Sequence, residues 1–492
     1  MSTISASAIP DEVRHVTETL QKEGFDAYLV GGCVRDLLLG RTPKDWDVTT
    51  NAKPHEIESF FDETFYENSF GTVGVVQADS PEESVRIIEV TPYRTEGEYS
   101  DARRPDSVEF SDSLHDDLKR RDFAVNAIAY DPKSGEIADP FEGREDIRRK
   151  SLRAVGKAEE RFYEDALRML RAVRLATELS FTIDSQTLDA IAKNVGQLSK
   201  ISKERIRDEF IRILMTEKPI EAFFLMQRIG MVPYVAADLE RGIGCEQNQA
   251  HKYDVFEHLL RTMQHAADKG WSLDIRLAGL YHDISKPETR RWSKEKNDWT
   301  FHGHEVVGAR VARKFLKDMR FPKEQSEKIV KLVRWHMFFS DPDLITLSAV
   351  RRMIRNVGPE NIWDLLNLRI CDRIGSGRPK EQPFRFRKYV SMVEEALRDP
   401  ISVSMLKISG DRILEMTDEK PGKRIGWVLH ALLEEVLDDP HKNTEEYLES
   451  RTKELLNLPE KTLQELGERG KDRQLAEEAA EIEELRAKHH VK

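Results

Sequence analysis

Apolar positions in the first 131 residues fall in short runs: AYLV (27–30), WDVTT (46–50), TVGVVQ (72–77) and VRIIEV (85–90). They are rich in valine and isoleucine and separated by Gly, Pro and Asn signals, which predicts short strands in a mixed helix and strand head. From Tyr163 onward the strand signal nearly vanishes. ALRMLRAVRLATEL (166–179), EAFFLMQRIGMV (221–232), VFEHLLRTMQHAA (255–267) and VVGARVARKFLKDM (306–319) repeat apolar residues at helical spacing. The expected fold class is therefore α+β: a small mixed head with a β-sheet, then an elongated, mostly α-helical body. After about Asp438 the chain is almost wholly charged, which suits a solvated helix, a partner surface or a frayed tail. No internal repeat of fixed period is present.

At 492 residues the chain is too long for one core, so several domains are expected. No apolar run approaches the roughly 18 residues of a membrane span, so no membrane partner is expected. The amino terminus, MSTISASAIPDEV, shows no secretory pattern, and Cys33, Cys245 and Cys371 have no paired spacing, which points to a cytoplasmic protein. A formal charge of −12 argues against nucleic acid as a partner of the whole surface. Basic clusters do occur, at Arg103-Arg104, Lys119-Arg120-Arg121, Arg148-Arg149-Lys150 and along Arg168, Arg171 and Arg174.

The chemistry begins with YLVGGCVRDLLLGRTPKDWDVTT (28–50). If KDWDVTT is a strand, Asp45 and Asp47 leave one face while Trp46 and Val48 turn inward. Paired carboxylates need positive charge between them, and two divalent cations about 4 Å apart serve in-line attack at phosphorus. Glu89 in VRIIEV alternates outward between Ile88 and Val90 and is a third candidate. Gly31 and Gly32, free of Cβ and leading into a helix start, let backbone N–H groups approach phosphate, and Arg35 adds charge. The string resembles the signature of the nucleotidyltransferase superfamily, in its class II CCA tRNA nucleotidyltransferase and poly(A) polymerase branch: GG-x-VRD-x-LLG followed by D-x-D.

DLKRRDFAVNAIAYD (117–131) resembles that family's second motif, which implies that Arg120, Arg121 and Asp122 contact ribose and phosphates. In YEDALRMLRAVRLA (163–176), Asp165 and Arg168 are expected on one helix face. An acceptor beside a donor matches the amino and ring-nitrogen pair shared by cytosine and adenine and rejects uracil and guanine. A plain helical salt bridge between Asp165 and Arg168 is the simpler alternative. The segment resembles the family's E-D-x-x-R motif, with Glu164 in register and Arg171 and Arg174 further along toward the triphosphate. EGEYSDARRPDSVEF (96–110) resembles the flexible loop of CCA-adding and A-adding members.

A separate set is spread over the body: His258 on a probable helix, the doublet His282-Asp283, and Asp372. Mixed imidazole and carboxylate donors suit Mn, Fe, Co, Ni or Zn better than Mg. The set resembles the HD phosphohydrolase superfamily, with His304 and His336 at positions some members use for a second metal. Ser285 stands where relatives often carry glycine. Lys203, Arg205, Arg207 and a tail segment from Ile408 to Pro440 are candidates for holding RNA phosphates.

The resemblance implies a nucleotidyltransferase head over 1–152, a helical neck with the nucleotide-selecting motif over 153–245, and an all-α HD domain over 246–395. A tRNA-binding tail (396–445) and a charged helical or disordered extension (446–492) complete it. It further implies addition of C, C and A to the tRNA acceptor end from CTP and ATP, with Mg2+ held by Asp45 and Asp47, Glu89 assisting, and a transition metal at the HD set. An A-adding enzyme and a poly(A) polymerase share these motifs. Two other classes stand beside them: an HD phosphohydrolase whose head only binds nucleotide or RNA, and a non-catalytic tRNA-binding protein.

Overall fold

The computed structural model describes residues 4–66, 71–96, 108–248, 251–338, 344–398 and 402–491. The expected loop over 96–110 and the Arg103-Arg104 cluster lie mostly outside the described residues. Two compact units are present, one of Met1–His336 with Asn367–Pro379, the other of Met337–Leu366 with Lys380–Lys492.

In the first unit the strands are β1 (Ala27–Val30), β2 (Asp47–Thr50), β3 (Thr64–Tyr66), β4 (Val73–Val76), β5 (Ile87–Pro92), β6 (Arg94–Glu96), β7 (Val108–Phe110), β8 (Ala129–Tyr130) and β9 (Ile137–Ala138). Seven build one sheet in the order β3-β4-β5-β2-β1-β8-β9, while β6 and β7 pair separately. Within that sheet β2 and β5 run parallel, and the remaining described pairings are antiparallel. A parallel pair needs a long crossover, supplied here by the helix Pro54–Phe60 and the β3-β4 hairpin.

The apolar alternation of these strands buries Leu29, Val48, Val75, Ile88 and Val90 on one face. The helix Asp11–Lys22 covers that face with Val13, Val16 and Leu20, which share one helical stripe. Trp46 is 2% exposed in the same core, so the segment before β2 is anchored by a large side chain next to its acidic residues.

Beyond the head the unit is helical, as the 3.6-residue periodicity predicts. Leu167–Leu179 packs on Lys203–Leu214 and Pro219–Arg228, followed by Val255–Asp268, Leu273–Tyr281, His304–Asp318 and Lys323–Trp335. The residues around Gly375 lie against the Val255–Asp268 helix so closely that a Cβ on Gly375 would sit 2.2 Å from Thr262 Oγ1. That approach brings Asp372, one turn earlier, to the helix carrying His258.

In the second unit, Lys423–Asp438 and Glu460–Lys488 form the central helix pair. The charged terminal segment is thus helical and seated. Val428, Leu432 and Val436 pack with Leu448, Leu455 and Leu463, and Arg469 and Arg473 reach Glu434 and Asp438. Gly467 and Gly470 are the contact points: added Cβ atoms would lie 2.5 Å from Trp427 Cα and 2.1 Å from the His430 carbonyl oxygen.

Gly470→Ala is therefore expected to lower stability by about 1–3 kcal/mol, the range for forcing a methyl into packed structure. Gly426→Ala, where a Cβ meets nothing within 4 Å, is expected to be neutral or mildly stabilising. Thermal unfolding of both variants beside the parent protein checks the pair.

Candidate active site and a second, metal-ligating cluster

β2 begins at Asp47, with Asp45 in the bend before it, so the expected strand is shorter than KDWDVTT. The sidedness nevertheless follows the alternation: Trp46 and Val48 are buried, Asp47 is half-buried and Asp45 is exposed. In the parallel pairing Asp47 is the register partner of Glu89, which sets their Cα atoms about one strand spacing, roughly 4.8 Å, apart on a common face. Glu89 is half-buried between Ile88 and Val90, both fully buried.

The glycine pair abuts these acids. Gly31 has φ +81°, a conformation side chains resist, and a Cβ there would come 3.1 Å from Arg121 Nη1 and 3.3 Å from Asp47 Oδ2. A Cβ on Gly32 would reach Arg35 Nη2 at 3.7 Å and Asp45 Oδ1 at 4.0 Å. The missing side chains thus leave one small concavity bordered by carboxylates and guanidinium groups.

Arg120 and Arg121 are held by Asp117, a buried residue the sequence reasoning passed over. Its carboxylate accepts from Arg120 Nε at 2.9 Å and Arg121 Nη2 at 3.2 Å, and from Thr49 Oγ1 at 3.2 Å. Burial raises the Asp117 pKa, but the two guanidinium groups outweigh it and hold the group below the usual carboxylate range. Arg35 is also buried, with Nε on Asp36 at 2.9 Å and Nη1 on Asn126 Oδ1 at 2.8 Å, so its charge already has a partner.

Asn126 continues to Asp122 at 3.3 Å, and Asp122 accepts from Arg171 Nε at 2.9 Å. Arg174 Nε donates to Glu209 at 2.7 Å, and Arg171 lies 3.8 Å from the same carboxylate. One chain of polar contacts therefore joins the Gly-Gly segment, the Arg-Arg-Asp segment and the helix Leu167–Leu179. Arg171 and Arg174 are paired within the protein.

Asp165 and Arg168 are not on one helix. Helix Ala158–Glu164 ends at Asp165, which is extended (φ −140°, ψ 104°), and a new helix starts at Leu167. Aspartate competes with the backbone for hydrogen bonds, and here Asp165 Oδ1 accepts the Leu167 N–H at 3.0 Å, which breaks the helix that the apolar period predicts. The simple Asp165–Arg168 salt bridge does not form. Asp165 is gripped by Arg205, while Arg168 Nη1 lies 2.5 Å from Glu164 and Nη2 donates to the Arg120 carbonyl at 3.1 Å. Of the basic residues expected on RNA, Arg205 is thus engaged by Asp165, and Arg207 donates to the Arg320 carbonyl at 2.6 Å.

The second cluster is buried. His258, His251, Asp283 and Asp372 each offer a donor atom, all within 4.8 Å of one another, and Asp283, His304 and His336 form an adjoining group under the same limit. His282 Nε2 lies 3.1 Å from Asp283 Oδ2 and 3.7 Å from Asp372 Oδ1. Nδ1 of His282, His304 and His336 each lie within 2.9 Å of a backbone carbonyl, of Gly279, Phe301 and Val333 respectively, so these nitrogens are the donors. In neutral rings the inward Nε2 atoms of His304 and His336 then carry lone pairs, yet they oppose each other at 3.2 Å; His258 and His282 bring their Nε2 atoms to 3.1 Å.

Opposed lone pairs beside two buried carboxylates fit a cation between them. The two acids favour positive charge at this point: burial lowers the His282 pKa, but Asp283 and Asp372 override it and lift it to about 9, while both acids are held well below their usual range. His251, Gln247 and Lys286 were not among the expected residues. Lys286 Nζ meets Asp283 Oδ2 at 2.5 Å, Gln247 Oε1 at 2.7 Å and His251 Nε2 at 3.3 Å. Lys286 follows the His-Asp doublet by three residues, one helical turn, and that spacing was the available signal.

Comparisons with known proteins agree with this layout. Residues 27–153 match the Poly A polymerase head domain, 180–241 the probable RNA and SrmB-binding site of polymerase A, and 255–373 the HD domain. A CCA-adding enzyme of Lactobacillus delbrueckii is 45% identical over 312 residues, 63% of this chain and 74% of that protein. One from Enterococcus faecalis is 32% identical across 92% of this chain and 99% of its own. The crystal structure of the Bacillus stearothermophilus CCA-adding enzyme in complex with CTP is 27% identical, covers 91% of this chain and 98% of that one, and superposes with a TM-score of 0.59. The fold and the paired acidic strands define a nucleotidyltransferase with a poly(A)-polymerase-type head. The chain belongs to the CCA-adding enzyme family and is a tRNA nucleotidyltransferase. Among the described residues no helix is long and apolar enough to cross a membrane.

Asp122 offers a direct check of the connecting network. Burial raises its pKa, but Arg171 chiefly, with Arg168 and Asn126, lowers it to about 2. A carboxylate depressed in the folded state stabilises above its unfolded pKa, and that contribution is lost as pH falls through the folded value. The shift corresponds to about 2 kcal/mol, present above about pH 4 and lost toward pH 2. Asp122→Asn is expected to be less stable at neutral pH, with the difference from the parent shrinking below pH 4 in urea unfolding series.

Proposed function

We propose that the protein adds C, C and A to the 3′ end of tRNA, taking CTP and ATP as substrates. The observation that carries this is the parallel register of Asp47 with Glu89 beside the glycine pair, with Arg121 bordering the same concavity. Hard carboxylate oxygens of Asp45, Asp47 and Glu89 suit Mg2+. Bound there, Mg2+ supplies charge stabilisation at the phosphate and activation of the attacking hydroxyl.

The chain's own residues do the rest. Gly31 and Gly32 admit the triphosphate close to the backbone, and Arg120 and Arg121, braced by Asp117, counter its charge. The tRNA 3′ hydroxyl gives up its proton to solvent as its oxygen bonds to the α-phosphorus, and the bond from that phosphorus to the bridging oxygen breaks, so pyrophosphate leaves. Asp165 accepts from the exocyclic amino group of C or A and Arg168 donates to the adjacent ring nitrogen, so protein side chains replace a template. Asp122, Arg171 and Arg174 hold in place the helix that carries Arg168. The relatives named as CCA-adding enzymes, and the solved relative holding CTP, favour this over A-addition or poly(A) synthesis. The domain limits expected from the sequence remain our proposal, as does the acceptor arm along the helical body.

The buried histidine and aspartate cluster is proposed to hold one transition metal on His258, His282, Asp283 and Asp372. A second position uses Asp283, His304 and His336. Its chemistry is hydrolysis at a phosphate ester, separate from nucleotidyl transfer.

Transcripts ending at the discriminator base, at C and at CC, each given labelled CTP or ATP, test the proposal. C is expected on the first two and A on the third. Asp47→Ala should remove at least about 99% of incorporation, whereas His282→Ala should leave it within about twofold, as expected of a separate site. Failure of CTP to enter the discriminator-ended transcript would refute CCA addition.

A further inference from the structure

Between Lys286 and His304 the chain forms a two-stranded hairpin, Arg291–Ser293 antiparallel to Asp298–Thr300. Trp292 and Trp299 are register partners on it, with ring centroids 5.0 Å apart and planes at 80°. The guanidinium carbon of Arg290 lies 3.7 Å from the Trp299 centroid. An edge-to-face pair of this kind steadies a two-stranded ribbon, which alone is marginal in water. Trp299 is thus covered by two neighbours, whereas Trp292 stays 50% exposed.

Both ends of the hairpin are tied to the buried histidine and aspartate cluster. At the first end Arg290 Nη2 lies 3.4 Å from Glu246 Oε2, and the next residue, Gln247, accepts from Lys286 Nζ at 2.7 Å. At the second end the Phe301 ring centroid is 5.4 Å from Lys286 Nζ, and the Phe301 carbonyl accepts from His304 Nδ1 at 2.6 Å. Phe301 follows Trp299 by two residues, a span of at most roughly 7 Å. The aromatic pair therefore stands about one nucleoside length from the Lys286 corner of the cluster.

A ligand that meets both features carries an anion for the ammonium and the cluster, and a flat ring for the exposed indole. Stacking on tryptophan accepts any nucleobase, since every base has a π-face. A sugar phosphate lacks the ring, and a free base lacks the anion. We propose that Trp292 is a nucleobase-stacking subsite beside the cluster, whose ligand is a nucleoside phosphate. This rests on the proposed role of the cluster in phosphate-ester hydrolysis. A free mononucleotide and an RNA end bearing a phosphate share that chemistry.

The test labels the full chain with 5-fluorotryptophan and loads it with Zn2+, which is diamagnetic and leaves the 19F spectrum sharp. The Trp292 resonance is assigned by its loss in Trp292→Tyr, and it reports on this hairpin whatever nucleotide the head binds. Adenosine 5′- or 3′-monophosphate should shift it saturably, with affinity about tenfold or more above that of ribose 5-phosphate, as expected of one stacked base. A tRNA transcript ending in a 3′-phosphate, titrated beside the same transcript with a 3′ hydroxyl, separates an RNA end from a free nucleotide. In Trp292→Thr, which suits a strand, nucleotide and ribose 5-phosphate should bind within about threefold of each other, read on the Trp299 resonance. Trp292→Tyr, which keeps a ring, should retain most of the preference.

A Trp292 resonance indifferent to both nucleotides and to the phosphorylated transcript would overturn the proposal. So would an equal loss of nucleotide and ribose 5-phosphate binding in Trp292→Thr, the mark of a ring that only staples the hairpin. Phosphate release followed on the same samples separates the two claims. Release from ribose 5-phosphate that requires His282, with Trp292 unmoved by nucleotide, upholds the hydrolase and removes the subsite. Nucleotide binding at Trp292 with no release from any ester upholds the subsite and removes the hydrolase.

Discussion

Two carboxylates set side by side by a parallel strand pair are the constraint on which the head is organised. Asp47 and Glu89 face each other across β2 and β5 because those strands run the same way in register. The neighbouring acidic groups repel, and the molecule tolerates this only with positive charge close by. Arg121 borders the same concavity, and the absence of side chains at Gly31 and Gly32 leaves the approach open. The buried anchors Trp46, Val48, Ile88 and Val90 fix the backbone beneath, so the acidic cluster cannot relax by turning a strand over.

The rest of the head serves that cluster through polar contacts that exclude slack. Asp117 holds both Arg120 and Arg121, and the path from Arg35 through Asn126 and Asp122 to Arg171 ties the glycine-pair segment to the helix Leu167–Leu179. Removing one member leaves a buried charge exposed to its own desolvation, which is why such a path behaves as a unit. The spacing between these segments is thereby fixed within the protein itself, the condition for orienting a reacting pair without further entropy loss.

Much of this was legible in the sequence because local rules govern it. Period-two burial located β2 and β5, and the glycine and aspartate strings carried a family resemblance that relatives covering nearly the whole chain share. The break at Asp165 was not legible, since apolar spacing continues across it and the competing hydrogen bonds come from one backbone N–H and from Arg205, 40 positions away. Asp117, Gln247 and His251 were missed for the same reason: their importance comes from partners brought by tertiary folding. Nor does the charge of the terminal segment reveal its packing: Gly467 and Gly470 are close contacts in a long helix, and the partners they touch lie about 40 positions earlier.

The central claim is that Asp47 and Glu89 act as one cation-binding unit beside the triphosphate. Electron paramagnetic resonance of Mn2+ titrated into the protein with a non-hydrolysable CTP analogue measures this directly. The account predicts closely spaced, magnetically coupled ions in the parent protein, loss of the coupling in Glu89→Gln, and loss of binding in Asp47→Asn. Mn2+ occupancy that depended on the nucleotide but was indifferent to both substitutions would contradict it.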